Sequence, residues 1–174
     1  FVCDYYSYEG EYIEGIWMSK YNPSNHTIYY QKARFFREVG TDEFAYCIET
    51  FNTFVEGSIY NEGNPTNISQ NQLDKITKIA HYGYGYPGHS DKTWYAVTQV
   101  MIWKELVNND DVFFTDKLNG NRINTYDGMI DEINNLITSN EVLPSFNNKT
   151  INIVKNHDIE IEDTNRVLNN YKPS

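Results

Sequence analysis

The hydrophobic positions of the chain change period twice. Residues 11–18, Glu11-Tyr12-Ile13-Glu14-Gly15-Ile16-Trp17-Met18, partly alternate as a strand does, and Tyr21-Asn22-Pro23-Ser24-Asn25 reads as a turn. Residues 44–50 alternate more cleanly. Phe44, Tyr46 and Ile48 share one face of the expected strand, and the small Ala45 and Cys47 share the other, which lets another element approach Cys47 closely. After a Gly/Asn/Pro-rich loop over 56–68 the period becomes helical. Ser69 can cap a helix over 69–81 whose apolar stripe is Leu73, Ile76 and Ala80. The segment Tyr82-Gly83-Tyr84-Gly85-Tyr86-Pro87-Gly88 breaks it. Ser90 or Asp91 then caps a second helix over about 92–107. Tyr95, Gln99, Ile102 and Leu106 form one row on it, and Ala96, Val100, Trp103 and Val107 the next, so Gln99 sits inside the apolar stripe. Asn119-Gly120 marks a turn, and a third helix is expected over about 125–139 with Ile130, Ile133 and Ile137 inward. Strand-like alternation returns over 150–171.

Strands, then helices, then strands suggest an α+β fold. We expect one domain over 1–174: β-structure of sandwich or barrel type from about 10–55 and 150–171, with a helical subdomain of about three helices inserted at about 69–140. A chain of 174 residues can bury a core without staples.

Composition narrows the function. With 14 Lys and Arg against 24 Asp and Glu, the net charge is −10, which repels phosphate backbones and argues against a nucleic-acid partner. No apolar run approaches the roughly 18 residues of a membrane helix, so no membrane insertion is expected. Phe1-Val2-Cys3-Asp4 has neither a basic start nor an apolar run, so no signal peptide is expected there. Fifteen Tyr, nine Phe and three Trp exclude disorder; with many Asn pairs they give either a sticky, uncharged surface suited to proteins or sugars or the imprint of codon bias alone. The four His are scattered, and Asp110-Asp111 and Glu160-Ile161-Glu162-Asp163 lack a metal-loop pattern, so no metal or cofactor is expected.

Two residues stand out chemically. Gln99 is a polar amide in an apolar stripe and needs partners, such as the backbone groups of a neighbouring strand. Cys47 can be a buried thiol, half of a Cys3–Cys47 disulfide, or a nucleophile. His81 and His89 are the candidates for a Cys-His pair, though neither lies in a protease signature.

Tyr46-Cys47-Ile48 on a strand, the Tyr82-Gly83-Tyr84-Gly85 loop, and Trp94-x-x-x-Thr98-Gln99-x-x-Ile102-Trp103 on a helix resemble the thioester domains of Gram-positive surface proteins. The stretch 47–103 is about a third of the chain, and the segment 163–168 resembles the closing strands of that family more weakly. Val100-Met101 stands where a small residue is more usual. The resemblance implies that Cys47 supplies a thiol and Gln99 an acyl carbon, and that the two condense into an internal thioester. It further implies covalent capture of a Lys amine on a host surface or matrix protein, fibrinogen being a target of some members. The chain would then be a monomeric, extracellular domain of a larger wall-anchored adhesin, without turnover and without a cofactor.

The chemistry sets its own demands. Only a few per cent of an ordinary thiol is ionised at neutral pH, and carboxamides are poor electrophiles, so the step needs fixed geometry and an oxyanion donor. Thr98 and Tyr46 are adjacent candidates for that donor. Cys47 and Gln99 lie 52 residues apart, so the fold alone can align them. Two other classes of function remain: a transferase or hydrolase using Cys47 with His81 or His89, and a non-covalent aromatic-rich binding module with a Cys3–Cys47 disulfide.

Overall fold

The computed structural model describes residues 5–51, 59–61 and 67–140, with the backbone alone for 5–7 and 59–61. Strand β1 (Tyr5–Asn22) and strand β2 (Thr27–Glu38) form a long antiparallel hairpin. Its turn is held by two Asn side chains, which accept from the Ser24 and Thr27 backbone N–H groups at 3.0 and 3.2 Å. Between Tyr12↔Arg34 and Trp17↔Lys32 the register slips: β1 takes five steps while β2 takes two. Gly15, at φ +80°, supplies the left-handed residue that this bulge contains. The bulge turns both Ile13 and Ile16 into the core, which simple alternation over 11–18 does not allow.

Strand β3 (Phe44–Ala45) adds to β2. Two short strands add to the other side of β1: β4 (Ile59–Asn61) along residues 5–7 and β5 (Val112–Thr115) along residues 17–20. The result is a five-stranded antiparallel sheet. Strand β5 is not among the elements expected from the sequence, and the strand expected over 44–50 pairs only at its first two residues. From Tyr46 onward the backbone leaves the ladder because side chains of a helix take its polar groups, as described below. The segment 150–171, expected to complete the β-structure, lies outside the described residues.

Among the described residues three α-helices accompany the sheet, as expected of the α+β fold: the middle one packs on the sheet, and the other two pack on the middle one and on each other. Helix α1 (Gln70–Tyr82) begins at Ser69, whose hydroxyl accepts from the Gln72 N–H while the Gln72 side chain reaches back to the Ser69 N–H. Its buried face is Ile76, Ile79 and Tyr82, rotated from the expected stripe, and Leu73 is exposed. Helix α2 (Lys92–Leu106) is capped by Asp91, which accepts from the Thr93 N–H at 2.7 Å. Every residue from Tyr95 to Trp103 is buried, so α2 is a central helix enclosed all round rather than one with a wet face. Helix α3 (Asp127–Ser139) sets Ile133 fully into the core, with Ile130 and Ile137 packed at its edge. No helix among the described residues is long and apolar enough to cross a membrane.

Candidate functional site

The site is built where α2 crosses the segment following β3. Tyr95 and Gln99 are one helical turn apart and project from the same face, about 6 Å apart along the axis. Ala45 and Cys47 are alternate residues of an extended segment, about 6.6 Å apart. The two spacings match, and each helix residue takes one strand residue. The Tyr95 hydroxyl donates to the Ala45 carbonyl at 2.6 Å, and accepts a longer bond from the Phe36 N–H at 3.4 Å. The Gln99 carboxamide takes both backbone groups of Cys47. Cys47 N–H donates to Gln99 Oε1 at 2.8 Å, and Gln99 Nε2 donates to the Cys47 carbonyl at 2.8 Å. Gln99 thus replaces a neighbouring strand for one residue, which is why the ladder ends at Ala45.

The pairing also explains a glutamine that is only 2% exposed. Each of its polar groups left unsatisfied would cost about 1–3 kcal/mol. Satisfaction by strand backbone is one of the readings of Gln99 that the sequence allows, and the backbone concerned belongs to Cys47 itself. The acyl carbon is therefore held against the residue that bears the thiol. A hydrogen bond from Cys47 N–H to Oε1 polarises the carbonyl in the direction that favours attack at that carbon. This backbone donor is invisible in the sequence, since any residue type but proline at position 47 supplies it. Thr98 is not that donor. Its hydroxyl donates to the Trp94 carbonyl at 2.6 Å and accepts from the Tyr84 N–H at 3.0 Å.

Cys47 carries a free thiol. Burial pushes its pKa up to about 11, with the Arg34 guanidinium opposing the shift and Glu49 adding to it. Cys3 lies outside the described residues. Aromatic rings wall the site. Tyr46 stacks on Tyr95 at 4.9 Å, and Phe35 and Tyr84 meet the Tyr95 ring edge-on at 4.8 and 5.9 Å. Tyr95 itself is held as a neutral phenol, its pKa raised by burial first and then by Tyr46 and Cys47. The Tyr82–Gly88 loop is pinned against α2 by the Thr98–Tyr84 bond. It passes so close at Gly83 that a Cβ there would strike the Thr98 side chain.

His89 is one of the two histidines considered as a base for Cys47, and it is engaged elsewhere. It is 1% exposed. Its Nδ1 lies 2.8 Å from the Tyr82 carbonyl oxygen and its Nε2 lies 2.9 Å from Glu132 Oε1 on α3. Its ring stacks on Trp94 at 3.6 Å. His89 therefore ties the loop to α2 and α3. His81 packs edge-on against Tyr82 at 4.7 Å.

Beside the thiol runs a groove of about 570 Å³, lined by Cys47, Phe51 and Trp103 and by Tyr12, Lys32 and Arg34 of the hairpin, among others.

No curated protein and no solved structure matches the chain. The family model of the thioester domain matches residues 44–142, more than half of its 174 residues. The matched stretch opens on β3, runs through α1 and α2, and ends just past α3, so it contains Cys47, Gln99 and the loop between the first two helices. By that match the chain belongs to the thioester domain family.

Proposed function

We propose that Cys47 and Gln99 condense into an internal thioester, and that the domain uses it once to capture an amine of a host surface or matrix protein. The observation that carries this reading is the two-point pairing of the Gln99 carboxamide with the Cys47 backbone, at 2.8 Å on both sides. The sulfur bonds to Gln99 Cδ, and the charge developing on Oε1 is held by the Cys47 N–H. The C–N bond then breaks, and Nε2 leaves as ammonia with the thiol's proton. With a thiol pKa of about 11, on the order of one thiol in 10⁴ is ionised at pH 7. Geometry has to make up that shortfall, and effective molarities of roughly 10⁵–10⁸ M are within its range.

The second step runs in the same terms. A Lys amine bonds to Cδ, the C–S bond breaks, and a proton from the amine returns to sulfur. An isopeptide bond and a free Cys47 remain. The partner stays attached because the link is covalent, without the off-rate of an ordinary interface. The net charge of −10 favours approach of a Lys-bearing partner at long range. This use fits an extracellular, wall-attached adhesin of a Gram-positive bacterium, with anchor and stalk supplied by other domains.

Intact mass tests the reading. The folded chain should be lighter than its sequence by one ammonia, and methylamine should add its own mass at Gln99. Cys47→Ala and Gln99→Ala should each abolish that addition. Methylamine uptake by the Cys47→Ala protein would refute the assignment.

A further inference from the structure

The ladder between β2 and β3 sets Phe36 opposite Ala45 and Arg37 opposite Phe44. At its Ala45 end a side chain of α2 enters the pairing. The Tyr95 hydroxyl accepts from the Phe36 N–H at 3.4 Å and donates to the Ala45 carbonyl at 2.6 Å. It stands between two residues that the register places opposite each other. Two residues further on, Gln99 takes the N–H and the carbonyl of Cys47 at 2.8 Å each. The Tyr95 hydroxyl is therefore the point at which the segment passes from the sheet to the helix.

Where that point lies decides what Gln99 meets. Every residue except proline offers the same backbone N–H and C=O, so nothing in the amide pairing itself selects Cys47 over a neighbour. A slip of one residue would offer Tyr46 or Ile48 instead, shift the thiol by about 3.3 Å and turn it to the opposite face. Tyr95 has no such freedom. Its side chain is fully buried, with Tyr46 stacked on its ring at 4.9 Å and Phe35 and Tyr84 edge-on at 4.8 and 5.9 Å. Burial first, then Tyr46 and Cys47, raise its pKa, so the hydroxyl remains a donor at neutral pH. Resting on the thioester reading above, we propose that Tyr95 is a positioning residue, whose hydroxyl sets the register of the 44–47 segment on α2 and so selects Cys47 as the partner of Gln99. With the hydroxyl gone, the Phe36 N–H and the Ala45 carbonyl are left to pair directly, and the sheet can draw the segment away from Gln99. The role belongs to the stage at which the two side chains are separate. Once sulfur and Cδ are joined, the covalent bond holds the register and the hydroxyl is dispensable.

The test uses the whole chain and its Tyr95→Phe variant, which keeps the ring. Concentrated ammonium chloride at mildly alkaline pH returns the thioester to amide and thiol: ammonia bonds to Cδ, the C–S bond breaks, and a proton passes to sulfur. After the salt is removed, renewed loss of ammonia is followed by intact mass and gives the rate of formation. Opening is read separately, as methylamine uptake by the molecules that carry the thioester. Formation should slow roughly tenfold in Tyr95→Phe, the effect of one hydrogen bond worth about 1.4 kcal/mol, while opening keeps the rate of the parent chain. Ile133→Val, at a fully buried position of α3, loosens the core without touching the segment and should form the thioester at the parent rate. Formation at the parent rate in Tyr95→Phe would overturn the proposal. So would equal slowing of Tyr95→Phe and Ile133→Val, or equal slowing of formation and opening. Each of these results leaves the thioester standing. A parent chain that neither loses ammonia nor takes up methylamine would strike the thioester reading, and the proposal with it.

Discussion

Gln99→Glu, made in a Cys47→Ala background, isolates the amide pairing from any cross-link. The reference is the Cys47→Ala protein that keeps Gln99. No thioester forms in either protein, yet residue 47 keeps its backbone N–H and carbonyl. One oxygen of the introduced carboxyl can still accept from the residue 47 N–H, at the position where Oε1 sits at 2.8 Å. The other replaces Nε2 and faces the residue 47 carbonyl, at the position now 2.8 Å away. Two oxygens in that arrangement need a proton between them. A neutral carboxylic acid supplies it and reproduces both hydrogen bonds, whereas a carboxylate leaves a charge buried against a carbonyl. The side chain replaced is 2% exposed, so desolvation acts in the same direction. The folded pKa of the introduced carboxyl is therefore raised above the unfolded value of about 4.3. A raised folded pKa means that the native state holds the proton more tightly. Stability matching the Gln99 reference is thus present below about pH 4 and is lost as pH rises through the folded value. Buried carboxyls reach about 8–9, so the loss at pH 7 is about 2–4 kcal/mol, or roughly 5–15 °C in Tm for a chain of this size. Thermal unfolding of the two proteins between pH 4 and pH 8 measures it. Curves that coincide at pH 7 would refute the buried, paired amide and, with it, the geometric basis of the site.

Three further outcomes follow from the same contacts. Opening the proposed cross-link with methylamine would free a loop of 52 residues and should lower stability by up to about 4 kcal/mol on the loop-entropy model, seen as a lower Tm than the untreated protein. In the opened protein, the alkylation rate of Cys47 by iodoacetamide should keep rising with pH toward about 11, where an ordinary cysteine levels off above about 8.5; an early plateau would contradict the burial of the thiol. Gly83→Ala should cost about 1–3 kcal/mol by forcing the Tyr82–Gly88 loop off Thr98, with Gly85→Ala, at φ +87° and without a close neighbour, losing less.

Much of this was legible in the sequence because helices advertise themselves. Ser69 and Asp91 are caps of a kind that backbone N–H groups select, and the helices begin where those residues stand. Gln99 in an apolar row signalled a buried amide with a partner. What escaped were features with no local signal. The bulge at Gly15 depends on register against β2, and β5 becomes a strand only because β1 is long enough to pair with it. The expected strand over 44–50 stops at Ala45 for a reason written about 50 residues away, in the Tyr95 hydroxyl and the Gln99 carboxamide. His89 has the chemistry of a base, and only the fold reveals that both of its nitrogens serve the loop and α3.

The protein's most economical device is that a single pair of hydrogen bonds meets two demands that usually conflict. A buried amide must be satisfied to fold, and a satisfied amide is ordinarily inert. Here the groups that satisfy Gln99 belong to Cys47, the proposed nucleophile, so the contact that permits burial also holds the carboxamide against the residue that bears the thiol. The same arrangement constrains what happens afterwards. In the proposed reaction, by microscopic reversibility, the path on which ammonia leaves the Gln99 carbon is the path on which ammonia would return, with an N–H given to the Cys47 carbonyl as Nε2 gives one now. A primary amine can follow that path because it keeps a hydrogen for the carbonyl while its chain extends outward. The observed pairing is thus also a template for the entering nitrogen of the proposed reaction.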